Sequence, residues 1–220
     1  MKLGIIITTF ERPEYLKQCL ESINNADIKN DVLFFIVDDC STDINVFNLI
    51  NNFSKNHFVK LNTKTFNKGI HDSLLIGFER AFYSGCDVVI NLDSDAVINK
   101  EAINILLELH NQFPHTIVTG FNTLICDVTT KQPRHPIIST HDKYFKKRSI
   151  GGINMCMNKM IYDKYVRHEL NRYNWDWRVC HNLQMDNKYF IVSNPSCVQH
   201  IGIGEGMHVN QPDFAEDFKM

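Results

Sequence analysis

Strand-like apolar runs alternate with helical spacings through the first half of the chain, and this order restricts it to a mostly parallel sheet covered on both faces. Leu3 to Thr8, Val32 to Val37, His57 to Leu61 and Val88-Val89-Ile90 read as strands. Between them, Tyr15, Leu16, Cys19, Leu20 and Ile23 recur at helical intervals, as do Val46, Phe47, Leu49 and Ile50, and then Leu74, Leu75, Phe78 and Phe82. Pro13 suits a helix start, and Thr42 or Asp43 can cap the second helix. Asn99 reads as the cap of a further helix to about Gln112, and Thr116 to Phe121 as another strand.

The second half is less regular. Residues 122 to 150 carry Pro133, Pro136 and little periodicity, which predicts a long irregular segment over the sheet edge. Order resumes at Gly151-Gly152, with helices expected from about Lys159 to Leu170 and from near Trp175. Tyr189 to Ser193 and Cys197 to Gln199 read as short strands. The tail from Gly202 to Met220 reads as a frayed end or a lid.

Composition removes several classes. A net charge of -2 offers no basic field for nucleic acid. The one basic cluster, Lys143, Lys146, Lys147 and Arg148, reads as a solvated loop or a phosphate contact. Seven cysteines lie scattered with no C-x-x-C pair, which argues against a disulfide framework or a zinc site and for a reducing, cytoplasmic setting. The apolar stretch at residues 3–7 is too short for a membrane span, and no stretch elsewhere approaches that length.

Chemistry is concentrated where the strands should stop. Four segments end in polar residues: Thr8-Thr9-Phe10-Glu11-Arg12, Asp38-Asp39, Asn67-Lys68-Gly69 and Asp93-Ser94-Asp95. Strand ends on one side of a parallel sheet converge on one crevice. Period-two alternation predicts that Asp93 and Asp95 face the same way. Two like charges so placed call for a cation or a donor-rich ligand, which suggests a divalent-metal and phosphate site; the other reading is a pair of turn acids.

With these residues in view, the chain resembles the inverting glycosyltransferases of the GT-A fold, family 2. The matching segments are Ile5-Ile6-Ile7-Thr8-Thr9-Phe10, Val37-Asp38-Asp39-Cys40-Ser41-Thr42-Asp43, Asn67-Lys68-Gly69, the D-x-D of Asp93-Ser94-Asp95, and Val198-Gln199-His200. The resemblance implies a single α/β domain with a Rossmann-like, mostly parallel sheet. Within it, residues of about 1–121 would bind a nucleotide sugar, about 122–203 an acceptor, and 204–220 would form a tail. It implies a UDP-sugar donor, a glycan or other hydroxyl acceptor, and Mn²⁺ or Mg²⁺.

By the same resemblance, Thr8, Phe10, Glu11, Asp39, Lys68 and Gly69 would contact the nucleoside or diphosphate, Asp93 the ribose or a metal-bound water, and Ser94 the nucleotide sugar. Asp95 and His200 would hold the metal, with His208 a second candidate. Gly151 and Gly152 would let the backbone approach the donor sugar. Asp176, in Tyr173-Asn174-Trp175-Asp176-Trp177-Arg178, matches the general base. Trp175 and Arg178 stand where the family commonly carries acids. That departure keeps open a degenerate nucleotide-sugar-binding protein. A sugar-1-phosphate nucleotidyltransferase is a further alternative, although the glycine-rich, basic loop that chemistry uses is missing after strand one.

Overall fold

Strand β1 (Leu3–Thr9) is buried along its whole length, which explains its unbroken apolar sequence. In the computed structural model, which describes residues 1–123, 125–127, 129–202 and 213–220, it pairs in parallel with β2 (Val32–Asp38) and with β4 (Val88–Asp93). β3 (Val59–Thr63) extends the parallel set beyond β2. Side chains divide by alternation. Leu3, Ile5, Ile7, Phe34 and Ile36 join one core, and Ile6, Phe35 and Val89 join the other.

The first core is completed by α1 (Pro13–Asn24), α2 (Ile44–Phe53) and α4 (Ala102–Gln112). The second is completed by α3 (Ile70–Tyr83) and by α6 (Trp175–Met185). Asp43 caps α2 by accepting the Asn45 amide at 2.8 Å. Asn99 does not cap α4: its side-chain amide donates instead to the Lys219 carbonyl at 3.2 Å.

After β5 (Ala96–Ile98) the sheet becomes mixed. β6 is only Val118–Thr119, shorter than the apolar sequence suggests. The segment read as irregular contains an antiparallel hairpin, β7 (Ile137–Thr140) and β8 (Tyr144–Lys147). Its outer strand is largely exposed, so it carries no continuous apolar signal. β9 (Asn154–Asn158) runs antiparallel between β4 and β6, and β10 (Phe190–Ser193) joins β6 to the hairpin. The nine-stranded order is β3-β2-β1-β4-β9-β6-β10-β8-β7. Both halves of the chain therefore build one sheet. β11 (Val198–His200) pairs with β5 in a separate two-stranded sheet.

Three further expectations change. The helix expected at 159–170 begins as α5 (Lys159–Ile161) and widens to a π-helix over Tyr162–Val166. The buried Tyr162 ring stacks on Phe78 at 4.9 Å and meets Phe82 at a tilt at 5.1 Å, and its hydroxyl donates to Glu79. Lys147 is not in a solvated loop. It is fully buried, donates to the Thr123 carbonyl at 2.9 Å, and burial pushes its ammonium pKa down to about 8. Residues 213–220 do not fray: Ala215 and Phe218 pack on the first core, and Gln199 exchanges two hydrogen bonds with the Ala215 backbone. His208 and the lid segment around it lie outside the described residues.

Among the described residues no disulfide joins any of the seven cysteines, and five of them are buried. No helix among the described residues is long and apolar enough to cross a membrane.

Candidate active site

The carboxyl ends of β1, β2 and β4 open into one cavity of about 510 Å³. β1 delivers Thr8, Phe10 and Arg12, β2 delivers Asp39, and the loop before α3 delivers Asn67 and Gly69. The end of β4 brings Asp93, Ser94 and Asp95, and the opposite wall holds Gly151, Gly152, Trp175, Asp176 and His200. Of the residues singled out from sequence, Glu11 and Lys68 are not among those lining it.

Glu11 has a different task. Its carboxylate accepts the Thr42 amide and hydroxyl at 2.8 and 2.9 Å and the Asp43 amide at 3.2 Å, and these bonds hold its pKa below the usual range. It thus fixes the chain between β2 and α2. The Lys68 ammonium lies over the Phe66 ring, and only the Lys68 amide turns inward, to Asp39.

Asp39 is nearly fully buried and richly held. Oδ1 accepts the Lys68 amide at 2.9 Å and lies 2.8 Å from the Lys64 ammonium in an ion pair, and Oδ2 accepts the Gly69 amide at 2.6 Å. Gly69 can donate there because it adopts φ 85°, which a side chain would strain. Lys64 also meets Asp72 at 3.0 Å. Sequence reading passed over Lys64. Its signal was a lysine just past a strand that ends beside two adjacent acids.

The D-x-D pair meets in the cavity, but not by strand alternation. β4 ends at Asp93, and Ser94-Asp95 form the turn to β5. That turn brings Asp95 beside Arg12 and His200. Asp95 Oδ2 lies 3.1 Å from an Arg12 guanidinium nitrogen and 3.5 Å from His200 Nε2. Burial raises the Asp95 pKa, but the His200 hydrogen bond and charge, with Arg12, outweigh it and bring it below the usual range. Asp93 goes the other way. Burial and the Asp95 charge push it well up, Asp176 adds to the repulsion, and its Oδ1 has no hydrogen-bond partner among the described residues.

His200 is oriented from behind. Its Nδ1 lies 3.1 Å from the Asp213 carbonyl, and a carbonyl only accepts, so Nδ1 carries a proton and Nε2 faces Asp95. Burial lowers its pKa, and Asp95, with the Asp213 carbonyl and the Asp93 charge, more than restores it, so the net direction is upward.

Asp176 sits in the first turn of α6, half buried, with Oδ1 accepting the Trp177 amide at 2.9 Å. Trp175 packs inward against Gly152, where a Cβ would meet Trp175 Cζ2 at 2.7 Å. Trp177 instead stacks on His135, with ring centres 5.0 Å apart. Arg12 and His135 were missed from sequence. Arg12 follows an acid at a helix start, where a cation opposes the helix dipole and so needs a partner elsewhere.

Among the described residues, no group of three or more His, Cys, Asp and Glu side chains is placed to hold a metal ion on protein ligands alone.

The sequence matches the model of the family described as Glycosyl transferase family 2 over residues 4–170. No curated protein matches it. In structure, the chain is similar to GalNAc-T7, solved with UDP, GalNAc and Mn²⁺, with a TM-score of 0.74 and 12% identity over 91% of this chain and 43% of that one. It is also similar to S. aureus TarS 1-349, with a TM-score of 0.64 and 17% identity over 87% of this chain and 58% of that one. The same TarS fragment solved in complex with UDP-GlcNAc gives a TM-score of 0.63 at 17% identity, over 87% of this chain and 56% of that one. At these identities the likeness is one of fold, and the chain spans about half the length of these neighbours.

Proposed function

Because the chain belongs to glycosyl transferase family 2, we propose that it moves a sugar from a nucleotide-sugar donor, a UDP-sugar, to an acceptor hydroxyl with inversion at the anomeric carbon. The observation that carries this reading is the single cavity gathering Asp39, Asp93, Asp95, Asp176 and His200 at the strand ends. Asp39, with Thr8 and Phe10, forms the nucleoside end. Among the described residues its Oδ2 accepts from the Gly69 amide, so a further lone pair is left for the ring N–H of uracil. The UDP and UDP-GlcNAc held by the structural neighbours support that choice of base.

Asp95 and His200 would hold Mn²⁺ or Mg²⁺. The donor set fits: a carboxylate oxygen and an imidazole nitrogen lie 3.5 Å apart, and Asp93 beside them has a buried oxygen with no hydrogen-bond partner among the described residues. So few protein donors leave coordination positions for diphosphate oxygens. Once bound, the ion neutralises charge on the departing nucleoside diphosphate. The Mn²⁺ in the GalNAc-T7 structure supports the assignment. Arg12 adds a fixed positive charge at the same carboxylate.

Asp176 is the general base of this scheme. It takes the proton of the acceptor hydroxyl as that oxygen bonds to the anomeric carbon. The bond from that carbon to the diphosphate oxygen breaks on the opposite face, and its electron pair leaves with the diphosphate. Gly151 and Gly152 leave room for the donor sugar, and Ser94 lines the cavity beside Asp93, which would hold the ribose. On this reading residues of about 1–121 serve the donor and about 122–203 the acceptor.

Calorimetric titration of UDP, GDP and CDP, with and without Mn²⁺, tests the proposal. UDP should bind in preference to the others, and more tightly with Mn²⁺. Asp95→Asn should weaken the Mn²⁺-dependent part by at least about tenfold, the loss of one charge-assisted contact. Absence of UDP binding under both conditions would sink the reading. Binding without transfer or donor hydrolysis would point instead to a nucleotide-sugar-binding protein.

A further inference from the structure

Beside the cavity lies a second, more open concavity of about 960 Å³. Arg172, Arg178, His181 and Asn182 bring hydrogen-bond donors to it, and Tyr173 and Trp177 bring aromatic rings. Tyr173, Asn174 and Trp177 line both spaces, and Asp176 stands between two of them in the chain. The groove therefore meets the cavity at residues that flank the carboxylate assigned as the base.

Its chemistry is cationic and aromatic together. The two guanidinium groups share one counter-charge, Glu169, which lies 2.6 Å from Arg178 Nε and 3.8 Å from Arg172 Nε. Glu169 is largely buried, and its other oxygen accepts the Asn182 amide at 2.9 Å. One buried acid thus braces both arginines from below and neutralises one of them. Both side chains remain about half exposed, 55% and 46%, with the terminal nitrogens of each fork beyond the braced Nε edge. Trp177 is held by its stack on His135 yet stays 44% exposed, and Tyr173 is 80% exposed. A fixed, solvent-facing ring suits the apolar face of a sugar, and a braced guanidinium fork suits a carboxylate or phosphate.

We propose that this groove is the acceptor subsite and that it selects a carbohydrate carrying a carboxylate or phosphate group. The inference rests on the glycosyl-transfer reading and names the acceptor class for it. Neutral glycans would use the rings but leave the arginines unanswered. The net charge of -2 gives no wider basic field of the kind that long nucleic acids require.

The test uses the two tryptophans, whose indole N–H groups give two signals in a nitrogen-15 spectrum. Trp175 is buried against Gly152 and serves as the internal reference. The probes are cellobiose, its uronic acid analogue cellobiouronic acid, and glucose 6-phosphate. The acidic probes should move the Trp177 signal and bind at least about tenfold more tightly than cellobiose, the worth of one charge-assisted contact. Comparing the two acids separates a carboxylate group from a phosphate group. Arg172→Gln should remove most of that preference. Arg178→Lys, which keeps a cation for Glu169 but loses the fork, should weaken it as well. The UDP titration reads a different part of the surface and should be unchanged. Equal binding of cellobiose and the acids, an unmoved Trp177 signal, or preferential binding of a short oligothymidylate would overturn the assignment. Acid-selective binding without UDP binding would refute the glycosyl-transfer reading instead, so the two failures are distinguishable.

Discussion

Replacing His135 with phenylalanine should remove a defined share of the protein's sensitivity to acid. The imidazole is buried, stacks on Trp177, and has Nδ1 2.9 Å from the Ser149 hydroxyl. Burial, and then the Lys147 and Arg134 charges, push its pKa down to about 4. An unfolded histidine titrates at about 6.5. Between those values the unfolded chain holds the proton and the folded protein does not, so stability falls as pH falls through that window. One pKa unit corresponds to about 1.4 kcal/mol, so the full loss, reached below about pH 4, is about 3 kcal/mol. About 2 kcal/mol of it falls between pH 7 and pH 5. Phenylalanine keeps a ring against Trp177, and Ser149 keeps its bond to the Arg134 carbonyl. Urea unfolding of both proteins at the two pH values, at constant ionic strength, gives the comparison. The depressed His57 and His110 are common to both proteins and cancel. The unsubstituted protein should lose about 2 kcal/mol more than the variant. An equal loss in both would show that His135 is not the titrating group and would refute the reasoning.

Other perturbations probe separate features. Gly152→Ala forces a methyl group into the buried Trp175 ring and should cost about 1–3 kcal/mol, seen as a drop of several degrees in Tm; an unchanged Tm would mean the ring has room to move. Lys64→Met strips the shared cation from Asp39 and Asp72 and should cost about 3–5 kcal/mol in urea unfolding, with UDP affinity falling in parallel. A thiol reagent should modify Cys40 and Cys126 first and reach the five buried cysteines only on unfolding. Burial also pushes the Cys180 and Cys197 thiols up to about 12, so rapid modification of all seven in the folded protein would contradict the packing.

The parallel half of the sheet was legible because β1, β2 and β4 are buried on both faces, and such strands are written as unbroken apolar runs. The hairpin of β7 and β8 was not, because its edge strand faces solvent and Lys147 hides a buried position behind a polar letter. Asp93 and Asp95 were correctly placed together but for the wrong reason, since a turn and not a strand carries Asp95. Glu11 and Lys68 make contacts that motif spacing does not announce, one bracing the start of α2 and the other lying over Phe66. Arg12, Lys64 and His135 act through partners far away in sequence, at Asp95, Asp39 and Trp177, and local pattern can mark a cation that needs a partner but cannot say which residue supplies it.

The position of β1 between β2 and β4 also governs how this chain is made. On a ribosome, Leu3–Thr9 can pair with Val32–Asp38 early, but its other edge waits for Val88–Asp93. At ordinary elongation rates that gap lasts roughly 4–16 s. During it the nascent chain presents an open edge of Leu-Gly-Ile-Ile-Ile-Thr-Thr, the type of strand that recruits other chains. β4 then repeats the exposure until β9 arrives. Soluble yield should therefore depend on what shields that edge during translation, and co-expressed holdase chaperones or a slower, cooler culture should raise it more than any change to the finished fold.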